Sequence, residues 1–172
     1  NPRHIRRDPY HRILSRRLAA SLCAYSAQDE SLSRATPGLP TAVLPVPIED
    51  RFQPGNDSGW RNRLGVPPGA PLIGAVGKLA AGRGFRLLLD TAAHLEAPAH
   101  VVVVGHGELQ PDLEKRSHEL GLARRVHWAG YHDQALPALY SAMDVVFFTA
   151  PGSDWGHRSI SEAQACGRPV VA

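Results

Sequence analysis

Cysteine is nearly absent from this chain: Cys23 and Cys166 are the two it has. They lie far apart and lack the paired spacing of a zinc ligand set, which argues against a disulfide scaffold or a zinc module. Both read as buried apolar residues. Aromatic residues are also few, 6% of the total, and none interleaves the arginines near the amino end as a stacking platform for nucleic acid. No apolar run approaches the roughly 20 residues of a membrane span, and no charged, apolar, small-residue leader opens the chain. A cytoplasmic protein that binds no nucleic acid is the expectation.

What is present has the makeup of a globular domain, with 172 residues, 43% hydrophobic and 20% charged. The net charge of +3 is unevenly placed, because Arg3, Arg6, Arg7, Arg12, Arg16 and Arg17 crowd the first 17 residues. Such a run suits an anionic lipid surface, and its plainer reading is a solvated helix face interrupted by Pro9. Residues 3–17 therefore allow peripheral contact at the inner membrane face.

From residue 71 onward, short β-branched runs alternate with helical patterns, the signature of a parallel α/β sheet. "PLIGAVG" (71–77) reads as a buried strand, followed by a helix with Phe85, Leu88, Leu89, Ala92 and Leu95 on one face. "HVVVVGHG" (100–107) is a continuous apolar strand and turn, and Leu109, Leu113 and Leu120 mark a helix ended by Gly121. "RVHWAGY" (125–131) is a third strand, with Asp133 the expected N-cap of the helix "QALPALYSAM". "DVVFFTA" (144–150), a helix from about Ser159 to Ala165 closed by Gly167, and "PVVA" complete the pattern. Before residue 71 a basic helix (10–19), the apolar run "SLCAYS", a short helix (29–34) and the strand "TAVLPVPI" lead into the turn-rich "EDRFQPGNDSG". A boundary near residue 50 follows, giving segments 1–50 and 51–172. The apolar run at residue 172 lacks a covering element, so a fragment is expected.

Ligands of an open parallel sheet bind beyond the carboxyl ends of its strands. Three stretches fall there. In "GKLAAGRG", Gly77 ends a strand, Lys78 and Arg83 are nearby cations, and Gly82 and Gly84 permit a tight turn before a helix N-terminus. That suits a diphosphate, although a solvated turn would look alike. "GHGELQ" has Gln110 where a dinucleotide fingerprint needs its third glycine, which disfavours a nicotinamide cofactor. In "SDWGHRSISEAQACGRPVVA", Glu162 is placed in or near the first turn of a helix, as a dipole partner or as an acceptor for the vicinal hydroxyls of a ribose. Asp154 is either a turn residue or a ligand contact, Gly156 offers backbone N–H groups, and His157, Arg158 and Ser159 either bind an anion or face water. Asp90 and His94 share a helix face without forming a metal motif, and His100, His106, His127 and His132 read as scattered.

In this order the stretches "AVGKLAAGRGFRLLLDTAAHL", "VVVVGHGELQPDLEKRSHELGLARRVHWAGY", "LPALYSAMDVVFFTAP" and "SEAQACGRPVVA" resemble the nucleotide-sugar-binding half of GT-B glycosyltransferases, in particular the glycosyl transferases group 1 family. The resemblance covers about residues 41–172, and "VLPVPIEDRFQP" resembles the crossover between the family's two domains. It implies a doubly wound, Rossmann-like parallel α/β sheet, the C-terminal half of a GT-B fold, incomplete at both ends.

The resemblance also implies roles. Lys78 stands where the family usually has Arg, and Arg83 where it usually has Lys, the pair that contacts the donor's diphosphate. Glu162 matches the ribose-binding second carboxylate of the Glu-x7-Glu motif. Asp154 matches the first, near the donor sugar, with a shorter side chain, and His157 replaces a small residue. Gly77, Trp155 and Gly156 complete the implied donor contacts, and Lys78, Arg83 and Asp154 the catalytic set. The implied reaction is transfer of a sugar from a nucleotide-diphosphate donor, with retention, to a glycan or lipid-linked acceptor that the sequence does not identify. No metal and no cofactor are implied. The fragment is expected to bind a donor better than it turns one over. The competing expectations are a non-catalytic nucleotide-sugar-binding or interaction module and a GT-B sugar epimerase.

Overall fold

A computed structural model describes residues 25–27, 41–43, 47–96, 99–149 and 157–172. The expected helices over 10–19 and 29–34 and the arginine run of residues 3–17 lie outside them. The chain divides into two compact units, Asn1–Pro47 and Ile48–Ala172. In the first, strands β1 (Tyr25–Ala27) and β2 (Thr41–Val43) pair in parallel, with Tyr25 opposite Thr41.

The second unit runs α1 (Trp60–Arg63), β3 (Leu72–Val76), α2 (Phe85–His94), β4 (His100–Val104), α3 (Gln110–Glu119), β5 (Val126–Gly130), α4 (Leu136–Ala142), β6 (Val145–Phe147), α5 (His157–Ala165) and β7 (Val170–Val171). Its five strands lie in the order β5-β4-β3-β6-β7, each pair parallel. Parallel strands covered on both faces lose the polar alternation of a half-solvated sheet, which explains the four consecutive valines of β4. Val101 and Val103 pack with Leu88, Leu89 and Leu113, whereas Val102 and Val104 pack with Leu139, Tyr140 and Val146. Successive side chains of one strand thus enter opposite cores, one under α2 and α3, the other under α4 and α5. Burying each leucine or valine contributes about 1.5–3 kcal/mol before the entropy of ordering it is set against that gain.

At the amino edge of the sheet, Asp144 Oδ2 accepts the Leu72 N–H at 2.7 Å and pairs with Arg61 at 3.3 Å. Arg61 also donates to the carbonyls of Ala142 and Ala70, so one guanidinium ties α1 to the strands. No helix among the described residues is long and apolar enough to cross a membrane.

Three local expectations need correction. Leu95 lies just past α2 in extended backbone and is 40% exposed, because the helix ends before its apolar face reaches that position. Asp133 does not cap α4: its side chain takes Arg51 at 2.6 Å, while its backbone carbonyl accepts the Leu136 N–H. Helix α5 begins at His157, two residues earlier than expected, which moves Glu162 into the second turn and away from the helix end.

Candidate functional site

The chain leaves β3 toward β4 and β5 on one side, then returns to lay β6 and β7 on the other. The loops after β3 and β6 therefore diverge, opening a crevice at the carboxyl end of the sheet where such folds bind ligands. A cavity of about 220 Å³ lies there, lined by Gly77, Lys78, Arg83, Gly84, Phe148, Arg158, Ser159 and Glu162 together with the ends of β3 and β6 and the start of α2. A second cavity of about 300 Å³ lies at the ends of β3, β4 and β5, lined by Val104, Gly105, His106, Tyr131, His132 and Leu136, and it shares Val76, Gly77 and Lys78 with the first.

Glycines make the close approaches between these turns. A side chain at Gly105 would strike the Gly77 carbonyl, and one at Gly84, held at φ +75°, would run into Thr149. The buried Leu79 anchors the intervening loop, donating its N–H to His106 O and accepting from Leu109 N, each at 3.0 Å. Lys78 is thereby left on the exposed side beside the cavity. Thr149 Oγ1 is buried and has no hydrogen-bond partner among the described residues.

Glu162 is 6% exposed, and each of its oxygens holds one protein donor. Tyr140 Oη donates to Oε2 at 3.0 Å and Arg158 Nε to Oε1 at 2.8 Å. Burial, reinforced by the Glu162 charge, pushes the Tyr140 phenol far above its ordinary value, so it stays a donor. Arg158 Nη2 reaches Glu49 at 2.7 Å, Glu49 pairs with Arg51 at 2.9 Å, and Arg51 with Asp133 at 2.6 Å. A chain of alternating charges thus runs from the first cavity to the loop that supplies Tyr131 and His132. The hydrogen bond to Glu162 raises the Arg158 guanidinium above its usual range.

A carboxylate offers about four lone-pair positions, so two protein donors leave Glu162 with acceptor capacity on both oxygens, as a vicinal diol requires. Lys78 and Arg83 flank the same cavity with positive charge. No group of three or more His, Cys, Asp or Glu residues among the described residues is arranged to hold a metal ion.

Of the residues singled out in the sequence, Gly77, Lys78, Arg83 and Glu162 are brought together around one cavity. Asp154, Trp155 and Gly156 lie outside the described residues, and His157 is placed only as the first residue of α5. Tyr140 was missed, since nothing in its 22-residue separation from Glu162 signals contact. Arg158 and Glu162 carried a signal in their i, i+4 spacing. The histidines were not all scattered: His100 Nδ1 and His127 Nε2 lie 2.8 Å apart with stacked rings, at the opposite end of the sheet.

The family described as "Glycosyl transferases group 1" matches residues 70–172. A D-inositol 3-phosphate glycosyltransferase of Mycolicibacterium gilvum is 35% identical over 148 residues, covering 83% of this chain and 33% of that relative. Among solved structures, Anabaena Alr3699/HepE in complex with UDP and glucose matches with a TM-score of 0.79 at 25% identity, over 100% of this chain and 50% of that one. Sucrose-phosphate synthase of Thermosynechococcus elongatus shares the fold, with a TM-score of 0.76 at 24% identity over 95% of this chain and 44% of its own. The chain spans about a third of the length of the curated relatives it matches. A doubly wound sheet, two cations and a buried carboxylate at its switch point, and these matches agree: the chain belongs to the glycosyl transferases group 1 family.

Proposed function

We propose that this chain is the donor-binding part of a glycosyltransferase that takes a sugar from a nucleoside diphosphate. The observation that carries the reading is Glu162, buried at the wall of a cavity it shares with Lys78 and Arg83, with acceptor capacity on both oxygens. Glu162 takes the ribose hydroxyls, and Lys78 and Arg83 take the diphosphate. The base lies toward the second cavity, where Tyr131, 67% exposed, offers a face for stacking. Asp154, Trp155, Gly156 and His157 are assigned to the donor sugar from the motif they occupy.

In the reaction the bond from the sugar's anomeric carbon to the diphosphate oxygen breaks. The acceptor hydroxyl oxygen bonds to that carbon and passes its proton to the departing diphosphate oxygen, with retention of configuration. Fixed positive charge stabilises the departing diphosphate more than the bound donor, which is where rate is gained. The complex of Alr3699/HepE with UDP and glucose favours trying UDP-sugars first. The acceptor is a glycan or a lipid-linked group presented by chain outside residues 51–172, with residues 3–17 resting on an anionic membrane. Unchanged liposome co-sedimentation after those arginines become Gln counts against that last assignment.

Isothermal titration calorimetry with UDP, GDP, ADP and their sugars tests the donor site. Binding of at least one is expected, weakened more than tenfold by Glu162→Ala, and no binding to any at millimolar concentration ends the reading. An interaction module without catalysis is the second reading, favoured by Asp154 and His157 where the family usually carries Glu and a small residue. Donor binding without sugar transfer or donor consumption in the intact protein would select it. Donor consumption without transfer would instead select an epimerase.

A further inference from the structure

We propose that Arg158 sets how strongly this site holds a diphosphate, by cancelling the charge of Glu162 that would otherwise repel it. The inference rests on the donor reading above and adds a role for a residue outside the diphosphate pair. Among the described residues, four ionisable side chains line the first cavity: Lys78, Arg83, Arg158 and Glu162. Summed over these four side chains, the formal charge is two net positive with Arg158 and one without it. A site that must hold both a neutral diol and a phosphate anion faces a conflict, because the carboxylate that suits the diol opposes the anion.

The geometry resolves this conflict. Glu162 is almost fully buried, so water and salt screen its charge poorly, and a close cation must do so instead. Arg158 lies one helical turn before it and places Nε 2.8 Å from Oε1. The planar guanidinium fork reaches outward with Nη2 to Glu49, whose exposed carboxylate is screened by solvent. Tyr140 donates to the other oxygen but brings no charge. Arg158 is thus a positioning residue that acts through its charge, holding the Glu162 carboxylate in place and neutralising its field across the cavity.

The test compares nucleosides with nucleoside diphosphates, since only the latter feel the charge. Calorimetry on the full chain with uridine and UDP, guanosine and GDP, and adenosine and ADP gives the affinity ratio of diphosphate to nucleoside. In Arg158→Gln the ratio falls about tenfold, the scale of one charge-assisted contact. Arg158→Lys restores most of it. In a Glu162→Gln background the further change Arg158→Gln lowers the ratio much less, because no charge remains to cancel. A ratio unchanged in Arg158→Gln, or an equal fall in both backgrounds, overturns the proposal. Glu49→Gln, which removes an acid outside the residues lining the cavity, keeps or raises the ratio, and a fall there also overturns it should Arg158→Gln not fold. Wild-type protein that binds no diphosphate removes the donor reading and this role with it. Binding with unaltered ratios removes the role alone.

Discussion

Tyr140 and Glu162 join the packed core to the wall of the first cavity through one hydrogen bond. The phenol is fully buried and its hydrogen donates to a carboxylate that is nearly so. Tyr140→Phe keeps the packing and removes the donor, leaving a charged acceptor short of a partner; a loss of about 1.5–3 kcal/mol is expected in urea unfolding. Nucleotide affinity should fall in the same variant, because the carboxylate loses one of its two anchors. Gly84 and Gly82 make a second comparison, since both hold φ near +75° but only Gly84 faces an obstacle, the Thr149 side chain. Gly82→Ala should cost about 1 kcal/mol of backbone strain, and Gly84→Ala about 1–3 kcal/mol more from forced repacking. Equal losses in equilibrium unfolding would contradict the contact with Thr149. At this scale the meeting of Lys78, Arg83 and Glu162 at one end of the sheet was legible from motif position. Tyr140 and Glu49 were not, because their contacts depend on how α4 and the segment before α1 pack on α5.

The elements of the sheet were legible because β3 and β4 are largely apolar runs ended by glycine turns, and the helices between the strands carry one apolar face. Their ends were less so: α5 starts at His157 because the pattern of buried residues says little about a polar first turn. The pairing of His100 with His127 was invisible for another reason. It depends on the register between β4 and β5, which places Val102 opposite His127, and no local pattern states that register. Both imidazoles are pushed below the ordinary histidine value, chiefly by desolvation; Arg125 and Arg61 add to this at His100, and His100 adds to it at His127. A histidine with a depressed folded pKa binds protons more readily when unfolded. The stability it contributes is present above the ordinary value of 6.5 and is lost as pH falls through the lowered one. Urea midpoints should therefore decline between pH 7 and pH 5 more steeply in the wild type than in a His100→Asn, His127→Asn double variant. Parallel declines would show that the pair does not govern the slope.

For the whole molecule, Cys166 reports on cooperative opening. Its thiol is fully buried against α5 and β7, and burial followed by the Glu162 charge pushes its pKa up. In a Cys23→Ser variant, reaction with a disulfide reagent should be slow until the urea midpoint seen by circular dichroism, then rapid. A nucleoside diphosphate at a hundred times its dissociation constant should move that midpoint upward by the equivalent of about 2.7 kcal/mol. Reaction well below the midpoint would show that β7 opens separately from the rest of the sheet. The family and the doubly wound class were readable over about residues 41–172 because several modest motifs occur in a fixed order.

Gly77 and Lys78 form a wall common to two cavities. A ligand long enough to enter both meets them as one site in which its halves are tethered to each other. Once one half is seated, the other acts at a raised effective concentration, so two fragments that bind feebly apart can add up to a firmly held whole. The middle strand of the sheet then serves as the linker's template: its single carboxyl end sets the span that a molecule must have to gain from both sides.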